Sequence, residues 1–161
     1  HGPWGLARVL TALAASSMSL AGTYDHETVF AKIVPGELPA VKVHEDDRVL
    51  AFMDVFPQSE GHVLVISKVS HARNLIEAEP EVTTELALMT QRISAVMPAA
   101  LGCDGVSVMQ YNGEAGGQTV FHLHFHVIPR WTGRPMRSHG SGQMADVDEL
   151  AAIAAKLSAA L

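Results

Sequence analysis

Between Gln118 and Arg130 the chain reads Gln-Thr-Val-Phe-His-Leu-His-Phe-His-Val-Ile-Pro-Arg. His122, His124 and His126 alternate with apolar residues, and a period of two predicts a β-strand. On that strand the three imidazoles share one face, with Val120 and Ile128 at its ends. Phe121, Leu123, Phe125 and Val127 share the other face, which is expected to be buried. The histidine face can be read as a polar strand surface, as metal ligands, or as nucleophilic and acid–base groups. Histidine is neither a strong β-former nor a favoured core residue, which disfavours the purely structural reading.

Metal binding is the first chemistry to weigh, because imidazole is the commonest metal ligand. Same-face neighbours on a strand lie roughly 7 Å apart and the outer pair about 13 Å apart. Two rings can share a zinc at about 2.0–2.1 Å from each nitrogen, but three on a straight strand cannot. A two-His site needs a third ligand. No carboxylate follows the triad before Asp146, and Cys103 is the only cysteine. A His-based metal-binding protein stays as a rival, and no metal or other cofactor is expected to be required.

In the second chemistry one imidazole attacks while its neighbours orient it, bind the anion and protonate the leaving group. Asn112 to Thr119, just upstream, is a Gly-rich turn with amide and hydroxyl side chains. Such a turn is suited to presenting backbone N–H groups to a phosphate. Hairpins use the same residues, so the turn alone is weak. Feeding directly into His-x-His-x-His, it suggests an anion clamp beside a histidine nucleophile.

In these residues the sequence resembles the histidine triad (HIT) family of nucleotide hydrolases and transferases. Asp47 to Asp54 and Gly61 to Ile66 are also similar to strands of that family, and the likeness runs from about Thr28 to Arg130. It is greatest to the Hint-like branch and its bacterial relatives; the Val-Ile-Pro-Arg ending is also similar to the Fhit-like branch. The resemblance implies an α+β fold, a five-stranded antiparallel sheet with packed helices, assembled as a homodimer. It implies hydrolysis or transfer at the α-phosphate of a purine nucleoside 5′-phosphate derivative of the adenosine phosphoramidate type.

Carried over residue by residue, the resemblance makes His124 the nucleophile that forms a nucleotidyl-histidine. The His122 carbonyl fixes its tautomer, and His126 binds phosphoryl oxygens or assists the leaving group. Thr119 and Asn112 donate to phosphate and leaving group, with Gly117 and Gln118 shaping the loop around the substrate. Phe30, Ile33 and Phe52 are implied as base contacts and Asp54 as the ribose ligand. His62 stands behind the triad and supports its hydrogen bonding. Thr119 replaces the serine of many members but keeps the hydroxyl, and Ser67 stands where proline is usual. A dinucleoside polyphosphate hydrolase and a nucleotide-binding regulator with incidental turnover remain alternatives.

Composition bounds the rest. A chain of 161 residues fits one domain with a real core. Its net charge of −6, with scattered acids, lacks the basic stripe of a nucleic-acid binder. One cysteine gives no disulfide framework and fits a reducing cytoplasm. Residues 1–22 read as a leader or cloning-derived segment preceding a domain over 23–161. Trp4 to Ala21 is apolar, yet Ser16, Ser17 and Ser19 interrupt it too much for a membrane span. Met18 is a candidate natural start. A soluble protein is expected, without membrane partners.

The elements that must position the histidines follow from patterning. Asp25 is a candidate N-cap for a short helix carrying Val29, Phe30 and Ile33, ended by Pro35-Gly36. Val41–His44 and Arg48–Asp54 predict strands around the turn Glu45-Asp46-Asp47, and His62–Ile66 a central strand. Apolar residues from Val82 to Ala100 at spacings of three and four predict a helix over Glu81–Leu101. Pro98, at about 3 kcal/mol in a helix interior, is expected to kink its last turn or end it early. Gly105–Tyr111 predicts a strand pairing antiparallel with the triad strand. Trp131–Gln143 reads as a loop; Arg130 before it and Arg134 and Arg137 within it are candidate polyphosphate contacts read first as surface basics, and Asp146–Leu161 reads as a terminal helix docked on the body.

Overall fold

The computed structural model describes residues 19–138 and 143–161. Most of the leader stretch, Met18 included, therefore lies outside the described residues. The elements run α1 (Val29–Ile33), β1 (Lys42–Glu45), β2 (Val49–Met53), β3 (Val63–Ser67), α2 (Pro80–Leu101), β4 (Gly105–Met109), β5 (His124–Arg130) and α3 (Val147–Ala160). The strands form one antiparallel sheet in the order β1-β2-β3-β5-β4. The α+β class and the five-stranded sheet are those expected.

β2 and β3 are near-continuous apolar runs because both faces of the sheet are covered. Val49, Ala51, Met53, Val63 and Val65 face the main core, where α2 contributes Val82, Leu86, Met89, Ile93 and Met97. From α3 come Leu150, Ile153, Ala154 and Leu157, so the terminal helix does dock on the body. Leu86 is fully buried, and its truncation to alanine would cost about 2–5 kcal/mol. Leu50, Phe52, Leu64 and Ile66 face the other way, where α1 covers them with Phe30 and Ile33. The sheet thus separates a packed scaffold from a smaller apolar floor.

Several boundaries differ from expectation. Thr28, rather than Asp25, caps α1, its hydroxyl accepting from the Ala31 amide at 3.1 Å. Asp25 accepts instead from Glu27 N–H, one turn earlier. α2 runs through Pro98 to Leu101 and ends on Gly102 in the left-handed region. Proline so near a C-terminus removes one ladder bond and leaves the rest of the helix intact.

The largest difference lies at the triad. β5 starts at His124, whose pairing with Ile66 is the last between it and β3. Leu123 donates its amide to the Ala72 carbonyl at 3.1 Å, outside the sheet. His122 therefore precedes the strand, and three rings do not project from one extended face. Phe121 also leaves the expected buried row and lies under the Arg73 guanidinium, 4.9 Å from ring centre. Among the described residues no helix is long and apolar enough to cross a membrane.

Candidate active site

A cavity of about 260 Å³ opens on the α1 side of the sheet. Phe30, Ile33, Phe52 and Leu64 form its apolar wall; Asp54, Thr119, His124 and His126 bring polar groups to it. Phe30 and Phe52 meet edge to face at 5.5 Å between ring centres. Phe30 also meets His124 edge to face at 4.9 Å. Apolar walls with a few convergent polar groups are what a small-molecule site requires.

Nδ1 of His124 lies 2.7 Å from the His122 carbonyl oxygen. A carbonyl only accepts, so the ring proton sits on Nδ1 and Nε2 keeps its lone pair. His124 lines the cavity and is buried. An imidazole held this way has its tautomer already chosen for nucleophilic attack through Nε2.

His126 is oriented from behind. The Gln58 amide donates to His62 Nδ1 at 3.1 Å, which leaves the His62 proton on Nε2. That nitrogen lies 2.9 Å from His126 Nδ1, which must accept. The proton of a neutral His126 is then on Nε2. Asp54 Oδ2 stands 3.6 Å from the same His62 Nε2, while Asp54 Oδ1 accepts from the Phe56 amide at 2.8 Å. His62 is fully buried and sits just ahead of β3, after Gly61.

His122 faces elsewhere. Its Nδ1 meets the Tyr24 hydroxyl at 2.7 Å, and the ring is not part of the cavity wall. Burial lowers its pKa to about 4, opposed by a hydrogen bond to the Ser67 backbone and assisted by the nearby His124 and His71 rings. Burial, with the negative charge of Asp25, raises the Tyr24 phenol above its ordinary value. The phenol therefore donates to a neutral imidazole. His122 offers the site its carbonyl rather than its ring.

The Gly-rich loop is organised differently from the expected amide cradle. Gly113 N–H donates to Gln118 Oε1, and the amides of Gly116, Gly117 and Gln118 donate to carbonyls of Gly113 and Glu114. These four amides close the loop on itself, which leaves the Thr119 side chain as its contribution to the cavity wall. Gln118 is buried, its amide donating to the Arg73 and Val120 carbonyls at 2.6 and 3.0 Å. Asn112 pairs reciprocally with the Gln110 amide and accepts from Leu75 N–H. Neither Asn112, Gly117 nor Gln118 lines the cavity; they shape the loop that carries Thr119.

Two contributors were missed in the sequence. Tyr24 precedes α1 and gave no periodic or motif signal, and Gln58 acts through its backbone amide. The same is true of Ser19 and Leu20, the described end of the leader stretch. Ser19 Oγ accepts from Glu114 N–H at 3.3 Å, and the Leu20 carbonyl accepts from Asn74 Nδ2 at 2.6 Å.

A family model described as "HIT domain" matches residues 35–133. The chain is 37% identical over 123 residues to the adenylylsulfatase HINT3 of Arabidopsis thaliana, covering 73% of this chain and 62% of that protein. It is 37% identical over 114 residues to the adenosine 5′-monophosphoramidase hnt1 of Schizosaccharomyces pombe, covering 71% and 79%. Among solved structures, a Hit-like protein of Bartonella henselae involved in cell-cycle regulation superposes with a TM-score of 0.81 at 41% identity. That match covers 87% of this chain and all of the other.

Proposed function

The chain belongs to the HIT domain family, and on that premise we propose that it hydrolyses purine nucleoside 5′-phosphate derivatives at the α-phosphorus through a nucleotidyl-histidine. The observation that carries this reading is the 2.7 Å contact from His124 Nδ1 to the His122 carbonyl, which leaves the other nitrogen unprotonated on a ring lining the cavity. His124 Nε2 forms a bond to phosphorus, and the bond from phosphorus to the leaving group breaks. His126 Nε2–H hydrogen-bonds the departing group, which takes its proton from solvent, and the His122 carbonyl holds the positive charge of the phosphorylated His124 ring. Water then attacks phosphorus, the P–N bond breaks to restore the neutral His124 ring, and the proton lost by water passes to solvent.

The base enters the apolar slot between Phe30, Ile33 and Phe52, and Asp54 takes the ribose hydroxyls. Relatives named for adenylyl sulfate and adenosine 5′-monophosphoramidate support adenosine phosphate derivatives as the substrate class. Positioned N–H and O–H donors stabilise the developing charge, so the chemistry requires no cofactor. A homodimer is part of the reading, because β4 is an edge strand with Val108 half exposed. A cytoplasmic setting fits the single, buried thiol of Cys103.

The test is a rapid quench of the protein with adenosine phosphoramidate, followed by mass analysis and steady-state rates beside diadenosine polyphosphates. Protein carrying one adenylyl group on His124 is expected, with faster turnover of the phosphoramidate. Turnover without any adduct would overturn the covalent step. Faster cleavage of the diadenosine compounds would move the assignment to polyphosphate hydrolysis. Chelation is expected to leave the rate undiminished.

A further inference from the structure

We infer that Gln58 is a positioning residue: its side chain, locked to the segment that follows β5, keeps Nε2 of His126 a hydrogen-bond donor. Gln58 lies in the connection between β2 and β3 and is buried. Its side-chain amide donates at 3.2 Å to the carbonyl of Arg137, 79 positions later. Arg137 N–H donates back to the Gln58 carbonyl at 2.7 Å. Just ahead of α3, Ala145 N–H donates to the Val55 carbonyl at 2.8 Å. Chain from beyond β5 thus grips the connection from which Gln58 N–H reaches His62 Nδ1 at 3.1 Å.

What the grip protects is a choice of tautomer. A neutral imidazole carries one ring proton, so His62 and His126, joined at 2.9 Å, have two self-consistent arrangements. In the first, His62 Nε2–H donates to His126 Nδ1 and the His126 proton is on Nε2. In the second, His126 Nδ1–H donates to His62 Nε2, and Nε2 of His126 becomes an acceptor. Gln58 N–H selects the first, because a donor facing His62 Nδ1 leaves no room for a proton there. Asp54 Oδ2 favours the same arrangement only from 3.6 Å, beyond hydrogen-bond length. Moving the Gln58 amide away therefore lets both rings exchange together. The consequence for turnover rests on the proposed function, in which His126 Nε2–H bonds the departing group.

Stability alone does not account for this side chain. Gln58 Oε1 is buried and has no hydrogen-bond partner among the described residues, and an unsatisfied buried acceptor is destabilising. Leucine or methionine would fill much the same volume without it. Arg137 is exposed, so water can serve its carbonyl once the amide is gone. An amide retained in spite of its orphaned oxygen points to the work of its Nε2, which fixes the backbone that presents Gln58 N–H.

Gln58→Leu and Gln58→Met, made in the whole chain, remove the Nε2 donor and keep the backbone N–H. Each is read by urea unfolding, by nitrogen-15 spectra of the histidine rings, and by steady-state rates on adenosine phosphoramidate. The unfolding midpoint should match or exceed that of the parent. His126 Nε2 should move from a protonated towards an unprotonated nitrogen shift. The rate constant kcat should fall about tenfold while KM stays within about twofold, since the apolar slot is untouched. Parental ring spectra in a folded variant, or parental kcat beside altered rings, overturn the assignment. A lowered midpoint, or failure of both variants to fold, makes the side chain structural and overturns it as well. The ring spectra need no turnover: altered rings in a protein that proves inert sink the functional reading alone, and parental rings in variants of an active enzyme sink the positioning role alone.

Discussion

The Tyr24 hydroxyl lies 2.7 Å from Nδ1 of His122, tying a residue ahead of α1 to the carbonyl that orients His124. Tyr24→Phe removes that hydroxyl and keeps the ring stacked on His71, whose centre is 4.7 Å away. An acceptor left unsatisfied in a buried ring costs about 1–3 kcal/mol. Urea unfolding should show that loss. The rate constant kcat should fall further than KM rises, since the substrate wall is untouched.

His124→Ala should reduce kcat by at least about 10³-fold, because a group that bonds to the reacting atom has no substitute. Adenosine 5′-monophosphate affinity, measured by calorimetry, should stay within a few-fold, as the apolar wall remains. Full activity in this variant would remove the nucleophile.

His122 makes stability depend on pH. Its pKa is lowered to about 4 from an ordinary 6.5. Above the ordinary value both states are neutral and stability is at its full level. As pH falls through the window, the unfolded chain takes a proton that the folded one refuses. The folded state then loses roughly 3 kcal/mol by pH 4. Denaturation midpoints between pH 7.5 and 4 should show this slope, and His122→Asn should flatten it.

Gly61 has φ of 93°, and a Cβ there would stand 2.9 Å from Leu101 Cδ1 and 3.0 Å from Pro129 Cγ. Gly61→Ala should cost about 1–3 kcal/mol through backbone strain and overpacking. It should also slow turnover by displacing His62, the next residue. Thermal unfolding and kcat together check both effects.

Val108→Lys places a charge on the β4 edge, where the side chain is half exposed. If two copies pair along that edge, sedimentation should show monomers in the variant and dimers in the parent. A parent protein that sediments as a monomer would end the dimer proposal.

Much of the fold was legible because its signals were local and periodic. Val82, Leu86, Met89 and Ile93 announce α2, the apolar run at Val49 reads as a strand, and the run at Val63 reads as a central one. The site was legible in its residue types, with His124, His126, Asp54, Phe30 and Phe52 all meeting at one cavity. What escaped was set by tertiary contacts. His122 lies beyond the last pairing with β3, and no alternation of residues reveals where a pairing stops. The loop amides turn inward because Gln118 is buried beneath them, held by the Arg73 carbonyl 45 positions earlier. Tyr24 and Gln58 act by placement alone.

The Gln58 amide is donated to an imidazole nitrogen rather than to a carbonyl. Its deuterium exchange is therefore a built-in gauge of whether the His62 ring keeps that nitrogen bare. Anything that protonates, turns or expels the ring strips this one backbone hydrogen of its acceptor. The neighbouring sheet amides would stay protected meanwhile. A single nitrogen–proton resonance, followed over hours, would thus report the electronic state of a side chain hidden from solvent.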